Sequence, residues 1–430
     1  MSSTGQSFFC FLTYHCKDYI TTMRVMIQTF ILGCIAMPAV AQPTTSQDWW
    51  RAELHRADGH NIVFNFEWKQ EQGKSVWYIR NAREKIKVTD IQIKDDSLLV
   101  QMPLFESQFR VKKAGNQLSG VWIKGGSVKT QVIPFTAVPG QQRFAAETST
   151  KKNIAGRWSA TFVNSNQLSS PAVAEFTQKG NIVTGTFLNP TGDYRYLEGV
   201  IDGDSLLLSC FDGGHAFLFT AKIESDKTII HGWHYSGAVS KETWTAVKND
   251  TATLLTEEVA MHLRPGEEKL NFTFNDLEGK PVSIADKRFK NKVVVLQIMG
   301  SWCPNCMDET AFLSNYYNKN KERGIEIVSL AYEYSTDIAR SVKSLKKFQQ
   351  RFHVQYPMLL TGVAVNDSLR TEKTLPQLTP IKFFPSSVIL DKKGRVSKID
   401  TGFNGPGTGD HYAQFVKEFE ATINKLLAEQ

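Results

Sequence analysis

Part of this chain is written twice, and that repetition limits its possible folds more than any other feature. Asp96-Ser97-Leu98-Leu99 returns 108 positions later as Asp204-Ser205-Leu206-Leu207, and Trp50-Arg51-Ala52 returns at the same offset as Trp158-Ser159-Ala160. Phe135-Thr136-Ala137-Val138 matches Trp244-Thr245-Ala246-Val247 at an offset of 109, and Gly120-Val121-Trp122 is echoed by Gly232-Trp233. Each match alone is weak, but four in the same order at nearly one spacing mark a tandem duplication. Residues 48–247 alternate apolar and polar positions over short segments, with hardly any helical periodicity. In the second copy, eight candidate strands lie between Ile154 and Val247, with turns at Lys179-Gly180-Asn181, Asn189–Gly192, Asp202-Gly203-Asp204 and Asp212-Gly213-Gly214. Strands at this spacing predict a meandering antiparallel barrel or sandwich, made twice.

The chain therefore reads as multidomain, with β repeats over 42–138 and 154–248 joined by the polar stretch 139–153. Gly156-Arg157-Trp158 is similar to the Gly-x-Trp opening of lipocalin-like barrels, although three residues are a short motif. A linker follows over 249–264, in which 251–263 reads as a short helix ended by Arg264-Pro265-Gly266. From 265 to 430 the pattern becomes α/β. A hairpin-like opening (272–282) precedes the apolar strand Val293–Met299, a helix from Pro304 to Arg323, and a strand Ile325–Tyr332. Then come a helix over 336–353, strands Ser387–Leu390 and Val396–Asp400, and a helix from His411. Strands alternating with helices predict a central sheet with helices packed on it.

The first 41 residues read as a leader. The apolar run Val25–Ala41 follows Arg24 and ends Ala39-Val40-Ala41, as a secretory signal requires, and Met23 is a better start than Met1. The run is short for a membrane span of about 20 residues. Ile31-Leu32-Gly33-Cys34 resembles a lipoprotein box, which leaves lipid attachment at Cys34 as an alternative to a secretory cleavage after Ala41. Either way the expected location is the periplasm or cell envelope. A formal charge of +7 over 430 residues, with lysines interleaved among acids, has no phosphate-tracking density, so no nucleic-acid partner is expected.

Six cysteines are too few for a disulfide scaffold, and three of them fall in the leader. Cys210 alternates with Leu206 and Leu208 and reads as a core residue. His215, His231 and His234 cluster in the second repeat without counterparts in the first, and no metal site is expected there. That leaves Ser301-Trp302-Cys303-Pro304-Asn305-Cys306, placed after a buried strand and opening a helix. The first sulfur of such a motif faces unpaired backbone N–H groups and the positive end of the helix dipole, which favours a thiolate. Pro304 suits the first helical position because it has no N–H to leave unpaired. The second sulfur lies within bonding reach and can resolve a mixed disulfide. Half a zinc site is the competing reading, but neither a second Cys-x-x-Cys nor a Cys/His pair at ligand spacing is present. The chemistry is redox.

At this point the sequence resembles a family. Phe272-x-Phe274-x-Asp276-Leu277-x-Gly279, Gly300-Ser301-Trp302-Cys303-x-x-Cys306-Met307-Asp308-Glu309 and Phe383-Phe384-Pro385 through Asp391 carry the likeness, joined by Thr401–Tyr412. They resemble the TlpA/ResA-like branch of thioredoxin-fold thiol–disulfide oxidoreductases of the bacterial envelope, over residues 265–430. The resemblance implies Cys303 as the attacking thiolate, Cys306 as the resolving thiol, and no cofactor beyond the Cys303–Cys306 disulfide. Pro385 would be the cis-proline facing the pair and offering backbone hydrogen bonds to an incoming chain. With Phe384, Trp302 and Pro304 it would form the client-binding surface; packing alone is the other reading of Trp302. Glu309 matches the family's acid three positions after the second cysteine, which could move the Cys306 proton; it could equally be a favourable first-turn acid. The implied partners are client proteins with cysteines or disulfides and a membrane thiol reductant, so that exchange runs in the reducing direction.

Two departures stand out. Gln297 occupies the position six before the first cysteine where many thioredoxins carry a buried aspartate, and Phe384 stands where threonine is common before the proline. A thiol peroxidase would need proline and Thr or Ser where this chain has Leu296 and Gly300. A rival of another class is a ligand- or protein-binding β-barrel protein with an accessory redox domain.

Overall fold

The computed structural model describes residues 48–127, 129–254 and 260–429, so the leader and Cys34 lie outside the described residues. The second repeat is a closed ring. Its strands run up and down from Gly156–Val163 to Ser240–Lys248, each paired to the next, and the last pairs back onto the first from Trp158↔Lys248 to Val163↔Thr243. A two-residue strand at Gly192–Asp193 adds to one side of the ring. The first repeat follows the same order from Trp49–Leu54 to Gln131–Pro139, and these end strands also pair with each other. Its register matches: Ala52 faces Ala137 as Ala160 faces Ala246. Here, however, the sheet's two edges are Glu84–Val88 and Asp90–Lys94, segments separated only by Thr89. A single bend thus replaces the missing ladder, and the sheet is a barrel whose seam is held by the chain itself.

Alternation explains both interiors. Trp50, Ala52 and Leu54 point inward while Trp49, Arg51 and Glu53 do not, and Trp158, Ala160 and Phe162 repeat the pattern. The inward side chains fill the barrels: Phe64, Phe66, Trp77 and Phe109 stack through the first, and Phe162, Phe187, Phe219 and Trp244 through the second. Cys210 is fully buried in the second core.

In the C-terminal domain the strands Val293–Met299, Ile325–Ala331 and Met358–Leu360 are parallel, and Ser386–Leu390 and Val396–Thr401 add antiparallel on one side. The first two are buried along their whole length, which is why they read as continuous apolar runs. Val293, Val295 and Met299 face a cluster containing Leu313 of α1 (Pro304–Asn320), Phe348 of α2 (Ile338–Phe352) and Ile423 of α3 (Asp410–Ala428). Val294, Leu296 and Ile298 face the other side, against Phe272, Leu375 and Leu378. This is the thioredoxin-like arrangement. Residues 251–254 and 260–263 are not helical, and Leu263 instead bridges to Leu378; the centre of the expected 251–263 helix lies outside the described residues. Among the described residues no helix is long and apolar enough to cross a membrane.

Candidate active site

The Val293–Met299 strand, paired on both sides, delivers the chain to its carboxyl end, where Gly300–Trp302 turn it into α1. Cys303 is the residue that caps this helix: its Sγ accepts the Cys306 N–H at 3.2 Å, and Pro304 occupies the first helical position. One of the helix's unpaired N–H groups is therefore satisfied by sulfur. Both cysteines are free thiols. Cys303 retains 4% exposure and Cys306 none. Burial first, and then the neighbouring Cys303, push the Cys306 thiol well above its ordinary pKa, so its proton must be taken before it can attack.

Facing the pair is the segment before Ser386–Leu390. The Phe384–Pro385 peptide is cis, and the Phe384 carbonyl accepts from the Cys303 thiol at 3.5 Å. The Pro385 carbonyl is already engaged by Gly402 N–H at 2.9 Å, so on this segment it is the Phe384 carbonyl that meets the sulfur. Trp302 donates through Nε1 to Tyr332 O at 2.8 Å, stacks on Tyr334 and meets Phe384 edge-on at 5.5 Å. The expected residues Cys303, Trp302, Phe384 and Pro385 are thus brought together around one sulfur. Pro304 is buried rather than presented on an open rim.

Glu309 lies further along α1, on its inner side and 2% exposed. Its carboxylate accepts from Gln297 Nε2 at 2.8 Å and from the Ser387 hydroxyl. Gln297 also accepts Ser329 Oγ at 2.7 Å, so the residue that replaces an acid on the strand orients the acid on the helix. Burial raises the Glu309 pKa to about 7, and the hydrogen bonds from Ser387 and Gln297 only partly oppose it. A carboxyl poised there can take or return a proton near neutral pH.

Sequence reasoning missed three participants. Glu333 is buried and accepts both Ser301 N–H at 2.8 Å and Ser301 Oγ at 2.6 Å, which pins the turn before Trp302; burial raises its pKa to about 7. Ser387 was visible only as one of a run of strand residues. Arg195, from the second barrel, is buried beside Asp308 of α1. A lone Arg in a polar turn gave no signal for that contact. Among the described residues no cluster of His, Cys, Asp or Glu is placed to hold a metal ion. His215 and His234 instead bond Asp212 at 3.1 Å and Glu242 at 2.8 Å.

The Redoxin family model matches residues 264–415. The thiol–disulfide oxidoreductase ResA of Bacillus thuringiensis subsp. konkukian is 30% identical over 153 residues, which cover 36% of this chain and 77% of that protein. ResA of Bacillus subtilis is 24% identical over 157 residues, covering 36% of this chain and 78% of its own. Among solved structures, a thiol:disulfide interchange protein of the thioredoxin family from Chlorobium tepidum is 21% identical, with a TM-score of 0.28, covering 39% of this chain and 99% of that one.

Proposed function

Because the chain belongs, through its C-terminal third, to the ResA family of thiol–disulfide oxidoreductases, we propose that it reduces disulfides of client proteins in the cell envelope. Cys303 is the nucleophile of this reading, Cys306 the resolving thiol and Glu309 the proton carrier. The observation that carries it is the Cys303 sulfur at the start of α1, hydrogen-bonded by Cys306 N–H, with the buried Glu309 carboxyl on the same helix.

The Cys303 thiolate attacks one sulfur of a client disulfide. A Cys303–client bond forms and the second client sulfur leaves as a thiolate. Cys306 gives its proton to Glu309 and attacks the Cys303 sulfur. The Cys303–Cys306 bond forms, the mixed bond breaks, and the client's remaining sulfur leaves. The client has gained two electrons, which a membrane dithiol then restores to the Cys303–Cys306 pair. Trp302, Phe384 and Pro385 form the surface the client meets, with Pro304 buried beside it, and Phe384 where the family commonly has threonine makes that rim more apolar. The family resemblance supports the reducing direction and the membrane donor, and the leader read from the sequence supports the envelope.

Replacing Cys306 with Ser tests the scheme, because the mixed disulfide can then form but not resolve. Cys306→Ser is expected to accumulate adducts on Cys303 that dithiothreitol releases, absent from Cys303→Ser/Cys306→Ser. If both variants recover the same species, Cys303 is not the nucleophile.

A further inference from the structure

The face around Cys303 is covered by the chain's own N-terminal half. Leu104 and Phe105 of the first barrel are buried in the same apolar cluster as Cys303 and Cys306, and the Phe105 ring meets Phe348 of α2 edge-on at 6.5 Å. The Asp212–His215 turn of the second barrel lies on Pro304. A Cβ placed on Gly214 would stand 2.7 Å from Pro304 Cγ and 3.1 Å from the Phe105 ring, so nothing larger than glycine fits between them. Asn305 is covered as well: its side-chain amide pairs with the backbone N–H and C=O of Asp193 at 3.2 and 3.3 Å. Both residues between the cysteines are therefore under the second barrel, while Leu104 and Phe105 of the first barrel pack into the apolar cluster that contains both cysteines.

Charged groups fasten this cover. Arg195 is 2% exposed and pairs at once with Asp308 on α1, with Glu84 of the first barrel and with Asp212 at 3.0 Å. At the other margin Arg340 of α2 grips Glu106 of the first barrel through two nitrogens at 3.0 and 2.7 Å, and Ser344 adds a bond at 3.0 Å. Lys124, half-buried, donates to the Gly214 carbonyl, with Asp212 and Cys303 among its neighbours.

A thiolate exchanges only with a disulfide whose sulfur can reach it, and a protein partner needs on the order of 800 Å² of free surface on each side. In this conformation Cys303 is 4% exposed and Pro304 and Asn305 beside it are covered. We propose that the two barrels are a cap whose inner face occupies the client-docking surface of the redox domain. Client exchange then requires the barrels to lift from α1 and α2, with Glu106–Arg340 and Arg195–Asp308 as the fastenings. The polar character of these fastenings suits a contact that opens, since interfaces between domains of one chain resemble transient protein–protein interfaces. The proposal rests on the exchange reading above, because what the cap covers is its nucleophile.

The test measures access to Cys303 in the reduced full chain, using a 5-kDa maleimide–polyethylene glycol and following the Cys303 peptide by mass spectrometry. Native wild type is expected to react at least about 100-fold more slowly than the guanidinium-unfolded chain, as for a group reached only through local opening. Glu106→Lys sets like charges together and is expected to raise the native rate several-fold, and the double variant Glu106→Lys/Arg340→Glu to restore it. Gly214→Leu, which wedges Pro304 from Phe105, is expected to raise the rate further. Native wild type reacting as fast as the unfolded chain overturns the cap, as does a rate unchanged in both Glu106→Lys and Gly214→Leu. Insulin reduction by the same samples separates the two proposals. Fast labelling without insulin reduction in the opened variants overturns the exchange reading and leaves the cap. Fast labelling of wild type with insulin reduction intact does the reverse.

Discussion

Glu309→Gln separates what the buried carboxyl does for exchange from what it costs the fold. Burial holds its pKa at about 7 in the folded chain against an ordinary 4.5. Between those values the folded chain keeps a proton that the unfolded chain has released, so stability falls as pH rises through that window. A gap of about 2.5 pH units, at about 1.4 kcal/mol per unit, makes the loss about 3.5 kcal/mol above pH 7. Glutamine does not ionise and escapes this loss. Its amide keeps one acceptor for Gln297 but turns an NH2 toward the Ser387 hydroxyl, which must then accept instead of donate, and this weaker pairing costs about 1 kcal/mol at every pH. The variant is therefore less stable than wild type by about 1 kcal/mol near pH 4.5 and more stable by about 2.5 kcal/mol near pH 8, with the curves crossing between about pH 5 and 6. Urea titration at each pH, read by labelling of Cys306, reports the unfolding of this domain because Cys306 has no exposure when folded. The same substitution is expected to slow resolution of the mixed disulfide by about 100-fold or more, the scale of a lost general base. Parallel stability curves from pH 4.5 to 8 would refute the burial argument, and an unchanged resolution rate would remove Glu309 from the mechanism.

Two further substitutions probe its surroundings. Ser387→Ala deletes a hydrogen bond that holds the Glu309 pKa down. The pH at which resolution accelerates is therefore expected to move up by about one unit, as for one bond to a charged group, and stopped-flow resolution across pH 5–9 reads it. Arg195→Met leaves Glu84, Asp212 and Asp308 without their shared buried cation. A loss of about 3–5 kcal/mol is expected on urea unfolding at pH 7, partly relieved at lower pH because Asp308, raised by burial to about 7, then becomes neutral.

Much of the redox site was legible because its logic is local. A Cys-x-x-Cys after an apolar strand has few places to go other than the start of a helix, and α1 begins at Pro304 as the spacing implies. Gln297 stood out as the polar residue of a run otherwise fit for burial, and Glu309 by its position. Their hydrogen bond was not legible, because it depends on how α1 lies against the strand. The barrels divide in the same way. Alternation assigns Trp50, Ala52 and Leu54 inward, but it is silent on whether the last strand meets the first. In the second copy the pairing of Trp158 with Lys248 closes the ring; in the first the bend at Thr89 separates the sheet's two edges.

The duplication with which the sequence opens thus specifies two similar barrels, and the Cys303–Cys306 motif specifies what sulfur chemistry the chain can perform. Both are properties of short windows, set by alternation, turns and a helix start. What can reach that sulfur is decided elsewhere. Leu104, Phe105, Gly214 and Arg195 lie 89 to 199 positions before Cys303, in turns whose composition marks no site. They meet α1 and α2 only because the two barrels pack against those helices. Contacts of that range depend on the shapes of finished domains rather than on any local pattern, so only the tertiary structure could show that Cys303 is covered.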